Sequence, residues 1–357
     1  MADLSNTLLE QVLDAKATHT ALNLIGGNTK AFIGHEPVGQ SVSLTNHSGI
    51  IAYHPSELVI TARAGTRIAE LQSVLAEHNQ ILVGEPPAFE GKATLGGSVA
   101  CNINGASRPF HGSLRDAILG VKLINGFGEH LRFGGQVMKN VAGYDLSRLQ
   151  AGAMGAFGIL TEVSLRVMPQ PELIETLQLE MSAQSAITKM RSLVTHGCPL
   201  SGAAWVDGSM FLRLAGSKQT VRQTASSLGG EALQHQSLFW RSIRNFRHPF
   251  FHQQGHLYRF SINPASPHLA QYEHSLINWA GNLRWVKTDA TLEELVPVAE
   301  EHGGHVDCYG TENRQPPCFH PLSPTHQRLH QSLKAAFDPQ SLFNPGRMYP
   351  WLGEISR

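Results

Sequence analysis

The sequence lacks a charge excess of either sign. Lys and Arg together number 28, Asp and Glu together also number 28, and the formal net charge is zero. Proteins that bind along a nucleic-acid backbone need surplus Lys and Arg to neutralise phosphates, so we expect no nucleic-acid partner. Charged residues are also scarce, at 16% of the chain against about 25% in typical globular domains, which argues against long disordered segments.

Long apolar runs are missing as well. No uninterrupted stretch approaches the roughly 18–20 apolar residues that a membrane-spanning helix needs. Acidic residues interrupt the apolar positions at the N-terminus, which is unlike a signal peptide. We therefore expect a cytoplasmic protein, and its 357 residues predict two domains, with three as the alternative.

Closely spaced cysteines and the common nucleotide-binding motifs are also missing from the sequence. The four cysteines (Cys101, Cys198, Cys308 and Cys318) form no CxxC pair. Iron–sulfur clusters usually need four thiolates with a close-spaced run, so we expect no metal centre here and place any cluster on another protein. A Walker A loop and a GxGxxG motif after a strand are both absent, which removes the main sequence support for ATP on a P-loop and for NAD on a Rossmann fold.

Glycine is abundant and unevenly distributed, because 21 of the 34 glycines precede residue 159. Four glycine loops combine glycine with hydroxyl, amide or basic groups: residues 26–30, 94–98, 112–116 and 152–159. A loop of this kind is either a tight turn or a nest of backbone N–H groups that holds an anion without a Cβ in the way. Four such loops together favour a cofactor that carries a diphosphate.

Hydrophobic periodicity predicts an α+β protein. Before residue 170 we expect a helix over 6–18, several strands, a helix capped by Thr66, and a hairpin with Asn125-Gly126 at its turn. Pro169-Gln-Pro171 is the best domain boundary. After it, a β-α-β-β-α-β pattern suggests an antiparallel sheet with helices on one face. We also expect a helix between the strands at 257–262 and 283–288, and a last helix that begins at Ser323-Pro324.

The glycine loops lie in segments that resemble a known superfamily. The order ALNLIGGNTK, VITARAGT, EPPAF, TLGGSVACNINGASRP, HGSLRDAILGVKLINGFGE and KNVAGYDLSRLQAGAMGAFGILTEV is similar to the FAD domain of the vanillyl-alcohol oxidase / p-cresol methylhydroxylase (PCMH) superfamily. The segments RFGGQVMKNVAGYDLSRLQAG and FNPGRMYP resemble the smaller, E-type FAD-binding subunits of bacterial glycolate oxidases. The resemblance implies a PCMH-type, two-lobed FAD domain over 1–170, a smaller α+β cap domain over 171–322, and a C-terminal helix and NPGR tail over 323–357 that return to the FAD domain.

The resemblance also assigns cofactor-binding positions. Residues 26–30 would form the first diphosphate loop, the loop at 94–98 the second with Asn102 nearby, 112–116 would lie along the cofactor, and 155–159 would support its ribityl or adenine side. The implied FAD-binding residues are Gly26, Gly27, Asn28, Thr29, Lys30, Thr94, Leu95, Gly96, Gly97, Ser98, Asn102, Gly112, Ser113, Arg115, Asp116, Gly155, Gly158 and Ile159. Asp116 has the alternative role of fixing Arg115. Lys139, Asn140, Tyr144 and Asp145 either contact the cofactor or pack between lobes.

Two departures from the superfamily qualify these expectations. Members that bind FAD covalently often have His after the first glycine pair, where this chain has Asn28, so we expect non-covalent FAD. Larger relatives that oxidise D-2-hydroxy acids carry a metal-binding cap motif, and HGGHVD at 302–307 lacks its core. Independent substrate turnover is therefore in doubt, and the weak catalytic candidates are Arg259, which could clamp a carboxylate, His305 and Arg347.

The resemblance implies the FAD-binding subunit of a glycolate oxidase complex. Glycolate would be oxidised to glyoxylate by hydride transfer to the flavin, and electrons would leave through an iron–sulfur subunit. A larger FAD-binding subunit would be the other partner, and any peripheral contact with the inner membrane would go through the complex. The alternative is a non-catalytic subunit of the same complex that holds flavin or relays electrons.

Overall fold

The computed structural model describes residues 3–135, 145–310 and 317–353, and the chain is a mixed α+β protein. The helices of the described residues are α1 Ser5–Thr18, α2 Ile68–Ala76, α3 Leu95–Cys101, α4 Arg108–His111, α5 Leu114–Ala117, α6 Leu146–Leu149, α7 Ala183–Thr195, α8 Lys218–Leu228, α9 Gln236–Arg244, α10 Leu292–Glu301 and α11 Pro324–Phe337. The strands are β1 Leu22–Ile25, β2 Gln40–Ser43, β3 Ile50–His54, β4 Val59–Arg63, β5 Gln80–Leu82, β6 Ile118–Ile124, β7 His130–Gly134, β8 Ile159–Pro169, β9 Leu173–Glu180, β10 Leu200–Val206, β11 Ser209–Gly216, β12 Glu231–Ala232, β13 His256–Ser261, β14 His274–Asn278, β15 Leu283–Thr288 and β16 His305–Tyr309.

Two sheets form in the N-terminal region, by which we mean the described residues up to 170. A parallel pair, β1 and β2, precedes a six-stranded antiparallel sheet of order β3-β4-β8-β6-β7, in which β5 extends the pairing of β8. The predicted hairpin is confirmed as β6 and β7, which pair from Ile124 opposite His130. α1 and α2 bury the apolar positions of their helical period, including Leu8, Val12 and Leu71, against this sheet.

An eight-stranded antiparallel sheet forms in the central region, residues 171–322, with the order β12-β9-β11-β10-β14-β15-β13-β16. Successive side chains of a strand point to opposite faces. Ala203 therefore packs with α7 and α8, and the strand register continues this face to Phe260, which packs with α10. Ala204 faces the other way and packs with Trp240 of α9. The antiparallel sheet is as expected, but its helices cover both faces.

Two local predictions were wrong. Thr66 does not cap α2: its buried hydroxyl accepts from the backbone N–H of Gly49 and donates to the Gly49 carbonyl, and α2 begins after Arg67 without a side-chain cap. The segment before β15 forms strand β14 where a helix was expected, because it pairs along its whole length with β15 and through Ile277 with β10.

The C-terminal segment, residues 323–353, lies against the N-terminal region. The last helix begins as predicted, since the Ser323 hydroxyl accepts from the N–H of His326. After α11 the chain runs beside β1: Leu22 donates its N–H to the Leu342 carbonyl at 2.7 Å, and Leu24 donates to Asn344 Oδ1 at 2.8 Å. Asn344 and Arg347 are thereby held beside the loop that follows β1. No helix of the described residues is long and apolar enough to cross a membrane.

Candidate functional site

A cavity of about 320 Å³ opens where β1 ends, and we call it the loop cavity. Three glycine-rich stretches and the C-terminal segment line it. Of the residues predicted from the sequence, it brings together Gly26, Gly27, Asn28, Thr29, Lys30, Thr94, Gly96, Gly97, Gly155, Gly158, Ile159 and Arg347. Residues from four separate parts of the chain therefore converge at one place, as a large cofactor requires.

The shape of the loop cavity depends on the close approach of glycine backbone to its neighbours. A Cβ on Gly27 would lie 1.8 Å from the carbonyl oxygen of Lys92, so no other residue fits there without a backbone shift. Asn28 follows in the left-handed region, with φ of 52°, a conformation that Asn tolerates better than most residues. The Thr94 hydroxyl accepts from the N–H of Gly97 and so caps α3. The loop after β1 and the start of α3 are thus fixed before any ligand arrives.

Lys30 is the main charged group of this cavity. Its side chain is only 6% exposed, and its Nζ lies 3.3 Å from Ser98 Oγ and 3.4 Å from Thr29 Oγ1. Within the described residues no carboxylate forms an ion pair with it, and burial lowers the pKa of its ammonium. A buried cation whose contacts are neutral hydroxyls and the ring of Phe89 favours an anionic ligand.

Arg347, a weak catalytic candidate, has a supporting position in the loop cavity. Its guanidinium donates to the carbonyl oxygens of Ala31, at 3.1 Å, and of His35. Its contacts therefore hold the chain that follows Lys30, and it couples the C-terminal segment to that loop.

A second cavity, of about 790 Å³, lies between the N-terminal and central regions, and we call it the interregion cavity. Cys101 and Met154 line both cavities, so the two adjoin. The predicted residues Asn102, Arg259 and His305 line the interregion cavity together with Arg108, Arg244, Trp279 and Tyr309. Three arginines and no Asp or Glu line it among the described residues, so it suits an anion.

Arg259 and His305 lie on adjacent strands of the central sheet. The Arg259 guanidinium is 3.8 Å from Asp307 Oδ2 and lies over the rings of Trp279 and Tyr309. His305 keeps an exposed edge at the cavity mouth. Partial withdrawal from water lowers the pKa of His305, with the Arg259 charge adding to the effect and Asp307 opposing it. A neutral imidazole can accept a proton, which is the property that a general base needs.

Several predicted site residues line neither cavity. Gly112, Ser113, Arg115 and Asp116 belong to a tight turn: Asp116 Oδ2 accepts from the Ser113 N–H at 2.9 Å and from its hydroxyl at 2.8 Å. Asp116 therefore holds Ser113, and no ion pair with Arg115 is among those of the described residues. These Ser113 hydrogen bonds hold the pKa of Asp116 below its usual value, although burial opposes them.

The remaining predicted residues have mixed positions. Leu95 packs in the N-terminal core, and Ser98 is fully buried behind Lys30, which it contacts. Lys139, Asn140 and Tyr144 lie outside the described residues, and Asp145 caps α6 by accepting from the N–H of Arg148.

Sequence reasoning missed Arg108 and Trp279. Arg108 lies between the second and third glycine loops, in the segment ASRP, and a basic residue at that place was a usable signal. No sequence signal marks Trp279, because its position depends on a strained turn that the sequence pattern does not reveal.

The family model for an FAD binding domain matches residues 5–134, which include most of the loop cavity. The chain is also 42% identical over 347 residues to glycolate oxidase subunit GlcE of Escherichia coli (strain K12), and the match covers 97% of this chain and 98% of that one. The chain belongs to the GlcE family. The family, the α+β fold with antiparallel sheets and the FAD cofactor that the sequence predicted are thereby confirmed, and the protein is an FAD-dependent oxidoreductase subunit.

More distant relatives share parts of the chain or its fold. Glycolate oxidase subunit GlcD of Bacillus subtilis (strain 168) is 34% identical over 119 residues, which cover 33% of this chain and 25% of that protein. A solved structure of alkyldihydroxyacetonephosphate synthase superposes with a TM-score of 0.65, covering 95% of this chain and 74% of that one, at 15% identity. The second match shows a shared fold over nearly the whole chain.

The loop cavity of this GlcE family member fits FAD on its own geometry. The diphosphate of FAD carries two negative charges and needs close N–H donors and a cation. Gly26 and Gly27 line the cavity at the end of β1, where a side chain at either position would collide with Thr94 or Lys92, and the buried Lys30 forms no ion pair among the described residues. A buried ammonium without an ion-pair partner costs free energy unless an anion binds it.

Proposed function

We propose that this protein is the FAD-binding subunit of a glycolate oxidase complex and that it oxidises glycolate to glyoxylate. The observation that carries the proposal is the interregion cavity. It adjoins the loop cavity at Cys101 and Met154, and it is lined by three arginines without a carboxylate among the described residues. A small 2-hydroxy acid carries one carboxylate, which such a cavity attracts.

FAD would be held without a covalent bond. Its diphosphate would lie over residues 26–30, with Lys30 as the cation, Thr94 and Gly97 on the facing loop, and Gly155 and Ile159 supporting the rest of the cofactor. Asn28 stands where a covalent histidine would be needed. When bound, FAD supplies the acceptor for a hydride from the substrate carbon.

The side chains of the interregion cavity would orient glycolate and take its proton. Arg259 would hold the carboxylate through two parallel N–H···O bonds, which fixes the direction of the hydroxyl-bearing carbon. His305, on the neighbouring strand and kept neutral by its lowered pKa, would accept the hydroxyl proton. Glycolate would thus give its hydroxyl proton to His305 as it is oxidised to glyoxylate.

Electrons would leave through partner subunits. Among the described residues no group of three or more His, Cys, Asp or Glu could hold a metal ion, and the four cysteines of the sequence form no CxxC pair. The relatives' names, GlcE and GlcD, indicate an oxidase built from several subunits. We therefore propose a larger FAD-binding subunit and an iron–sulfur subunit as partners, with any membrane contact made by the complex.

Anaerobic reduction of the flavin tests the proposal. The purified holoprotein is mixed with glycolate without oxygen, first alone and then with the larger flavin subunit, and flavin absorbance is followed. We expect bleaching by the chain alone, and Arg259→Gln to slow it about 100-fold or more. Arg191→Gln, on the exposed surface of α7, is the matched control and should bleach as the wild type does.

The second candidate is a subunit that holds flavin or relays electrons without turnover. The incomplete motif at 302–307 and the position of His305 at the cavity mouth favour it. Flavin that stays oxidised until the larger subunit is added, and bleaches equally with wild type and Arg259→Gln, would contradict turnover in this chain. If no flavin binds at all, both candidates fail.

A further inference from the structure

We propose that Arg108 is a specificity-determining residue that binds the substrate carboxylate jointly with Arg259, so that one arginine from each region clamps the same anion. This inference rests on the proposed function, because it names how that cavity recognises its 2-hydroxy acid. It predicts that substrate is bound only when the two regions lie against each other.

Arg108 has no carboxylate at ion-pair distance among the described residues. It begins α4, lines the interregion cavity, and forms no ion pair within the described residues. The acid nearest in sequence, Asp116, is occupied by Ser113. Burial lowers the pKa of Arg108, the charge of Arg259 lowers it further, and the charge of Asp116 opposes both effects. The guanidinium groups of Arg108 and Arg259 therefore repel each other. A carboxylate between them would remove this repulsion.

Trp279 brings the two arginines together. The Arg108 guanidinium carbon lies 4.5 Å from the centroid of the Trp279 ring, and that of Arg259 lies 5.3 Å from it. The buried indole donates its Nε1–H to the carbonyl of Gly105, at 2.8 Å, and so joins the central region to the N-terminal region. Both cationic heads therefore lie against one indole ring, and both line the interregion cavity. Guanidinium stacking on the indole also fixes the direction of the N–H donors.

The backbone at this point is strained. Trp279 and the next residue, Ala280, both adopt left-handed conformations, with φ of 52° and 53°. A bulky residue in this region is an outlier that persists only when the surroundings enforce it, and such outliers cluster at ligand-binding sites. Here the strain holds the indole between its Gly105 hydrogen bond and the two guanidinium groups.

The other arginine of the cavity has a different environment. Arg244 lies near the buried carboxylate of Glu85, which forms an ion pair with Arg213 at 2.9 Å. Glu85 offsets part of the Arg244 charge, and Asp116 offsets part of the Arg108 charge without forming an ion pair with it. Arg259 lies beside the Tyr309 ring, and its nearest carboxylate oxygen, that of Asp307, is 3.8 Å away, which is long for a charge-assisted hydrogen bond. Arg108 and Arg259 are therefore the two cavity arginines that stack on Trp279 without a carboxylate at hydrogen-bond distance among the described residues.

The test measures anion binding separately from turnover. Oxalate, which cannot be oxidised by hydride loss, is titrated into the oxidised FAD-loaded complex, and the change in flavin absorbance gives its Kd. We expect Arg108→Gln and Arg259→Gln each to raise the Kd for oxalate about 10- to 100-fold, which is typical of losing a hydrogen bond to a charged group. KM for glycolate should rise in parallel, with a smaller change in kcat, and Arg108→Lys should recover part of the affinity. FAD content and the Arg191→Gln control should match the wild type.

The possible failures are distinguishable. If Arg108→Gln binds oxalate within twofold of the wild type while Arg259→Gln does not, the clamp is overturned and the proposed function stands. If the complex never oxidises glycolate but oxalate binding depends on both arginines, the clamp stands and the proposed function fails. No effect of oxalate on the wild-type flavin would overturn the clamp. If Arg108→Gln fails to load FAD, the Kd for oxalate is measured for Arg108→Lys and for the double variant Arg108→Lys/Arg259→Lys. Equal and additive losses of binding free energy would contradict a shared ligand.

Discussion

Replacing Lys30 with Met should weaken FAD binding and stabilise the protein without its cofactor. In the apoprotein Lys30 is 6% exposed, and its ammonium contacts the hydroxyls of Thr29 and Ser98 and lies 5.4 Å from the centroid of the Phe89 ring. Hydroxyls compensate a buried charge poorly, so an apolar side chain of similar length removes a desolvation cost of about 1–3 kcal/mol. In the holoprotein the same ammonium would bind a diphosphate oxygen, a charge-assisted contact worth about 1.5–3 kcal/mol. The substitution should therefore raise the Kd for FAD about 10- to 100-fold.

Two measurements on one pair of proteins check this prediction. Urea unfolding of the apoproteins gives the change in the free energy of unfolding, and FAD titration followed by quenching of flavin fluorescence gives the Kd. Lys218→Met, at the exposed start of α8, is the matched control and should change neither quantity appreciably. Unchanged FAD affinity in Lys30→Met, with full cofactor loading, would refute the assignment of Lys30 to the diphosphate.

The buried charge of Lys30 also makes the stability of the apoprotein depend on pH. Burial lowers the pKa of Lys30 from its ordinary value of 10.5 in the folded apoprotein, whereas the unfolded chain keeps the ordinary value. Between these two pKa values the unfolded state binds more protons, so the free energy of unfolding rises with pH. The destabilisation caused by Lys30 is complete below the folded-state pKa and disappears above 10.5. The stability gap between Lys30→Met and the wild type should therefore narrow as pH approaches 10.5.

Three further substitutions test the structure around the two cavities. Gly27→Ala places a Cβ 1.8 Å from the Lys92 carbonyl oxygen. We expect the free energy of unfolding in urea to fall by about 1–3 kcal/mol, and the ratio of flavin to protein to fall as well. Full flavin loading would contradict the close approach. Lys334→Met leaves the fully buried Asp338 without its partner at 2.7 Å and should cost about 3–5 kcal/mol, whereas a cost below about 1 kcal/mol would contradict a buried ion pair. Trp279→Phe removes the indole N–H donor that joins the two regions and should cost about 1 kcal/mol or more in the same assay, and an unchanged midpoint would argue against that hydrogen bond.

The sequence predicts those parts of the fold whose causes are local. The Asn125-Gly126 turn and the Ser323-Pro324 helix start each depend on a few neighbouring residues, and the structure has both. Strand β14 pairs with β15, which follows it closely in sequence, but its other partner is Trp205 of β10, which is far away in sequence, so no local pattern records that pairing. Thr66 resembles a helix cap in sequence, but Gly49 offers its hydroxyl two better partners.

The candidate site also has one part that the sequence predicts and one part that it does not. Glycine loops are visible in sequence because close backbone approach requires glycine wherever it occurs, and Gly26 and Gly27 line the loop cavity as expected. The same signal is ambiguous at Gly112 and Ser113, where glycine and hydroxyl form a tight turn outside both cavities. The interregion cavity is invisible in sequence, because Arg108 and Arg259 are 151 positions apart and only the packed fold makes them neighbours.

The charge of the interregion cavity leads to a last prediction that separates function from stability. A net charge of zero for the whole chain conceals a cavity with Arg108, Arg244 and Arg259 and no acidic lining residue among the described ones. A chain selected only to hold flavin would gain from neutralising Arg108, because its charge is partly desolvated and repelled by Arg259. Arg108→Met should accordingly raise the free energy of unfolding by about 0.5–2 kcal/mol while it raises the Kd for oxalate about 10- to 100-fold. If Arg108→Met lowers both the free energy of unfolding and the affinity for oxalate, Arg108 is a structural residue. If the Kd for oxalate is unchanged, the carboxylate does not bind in this cavity.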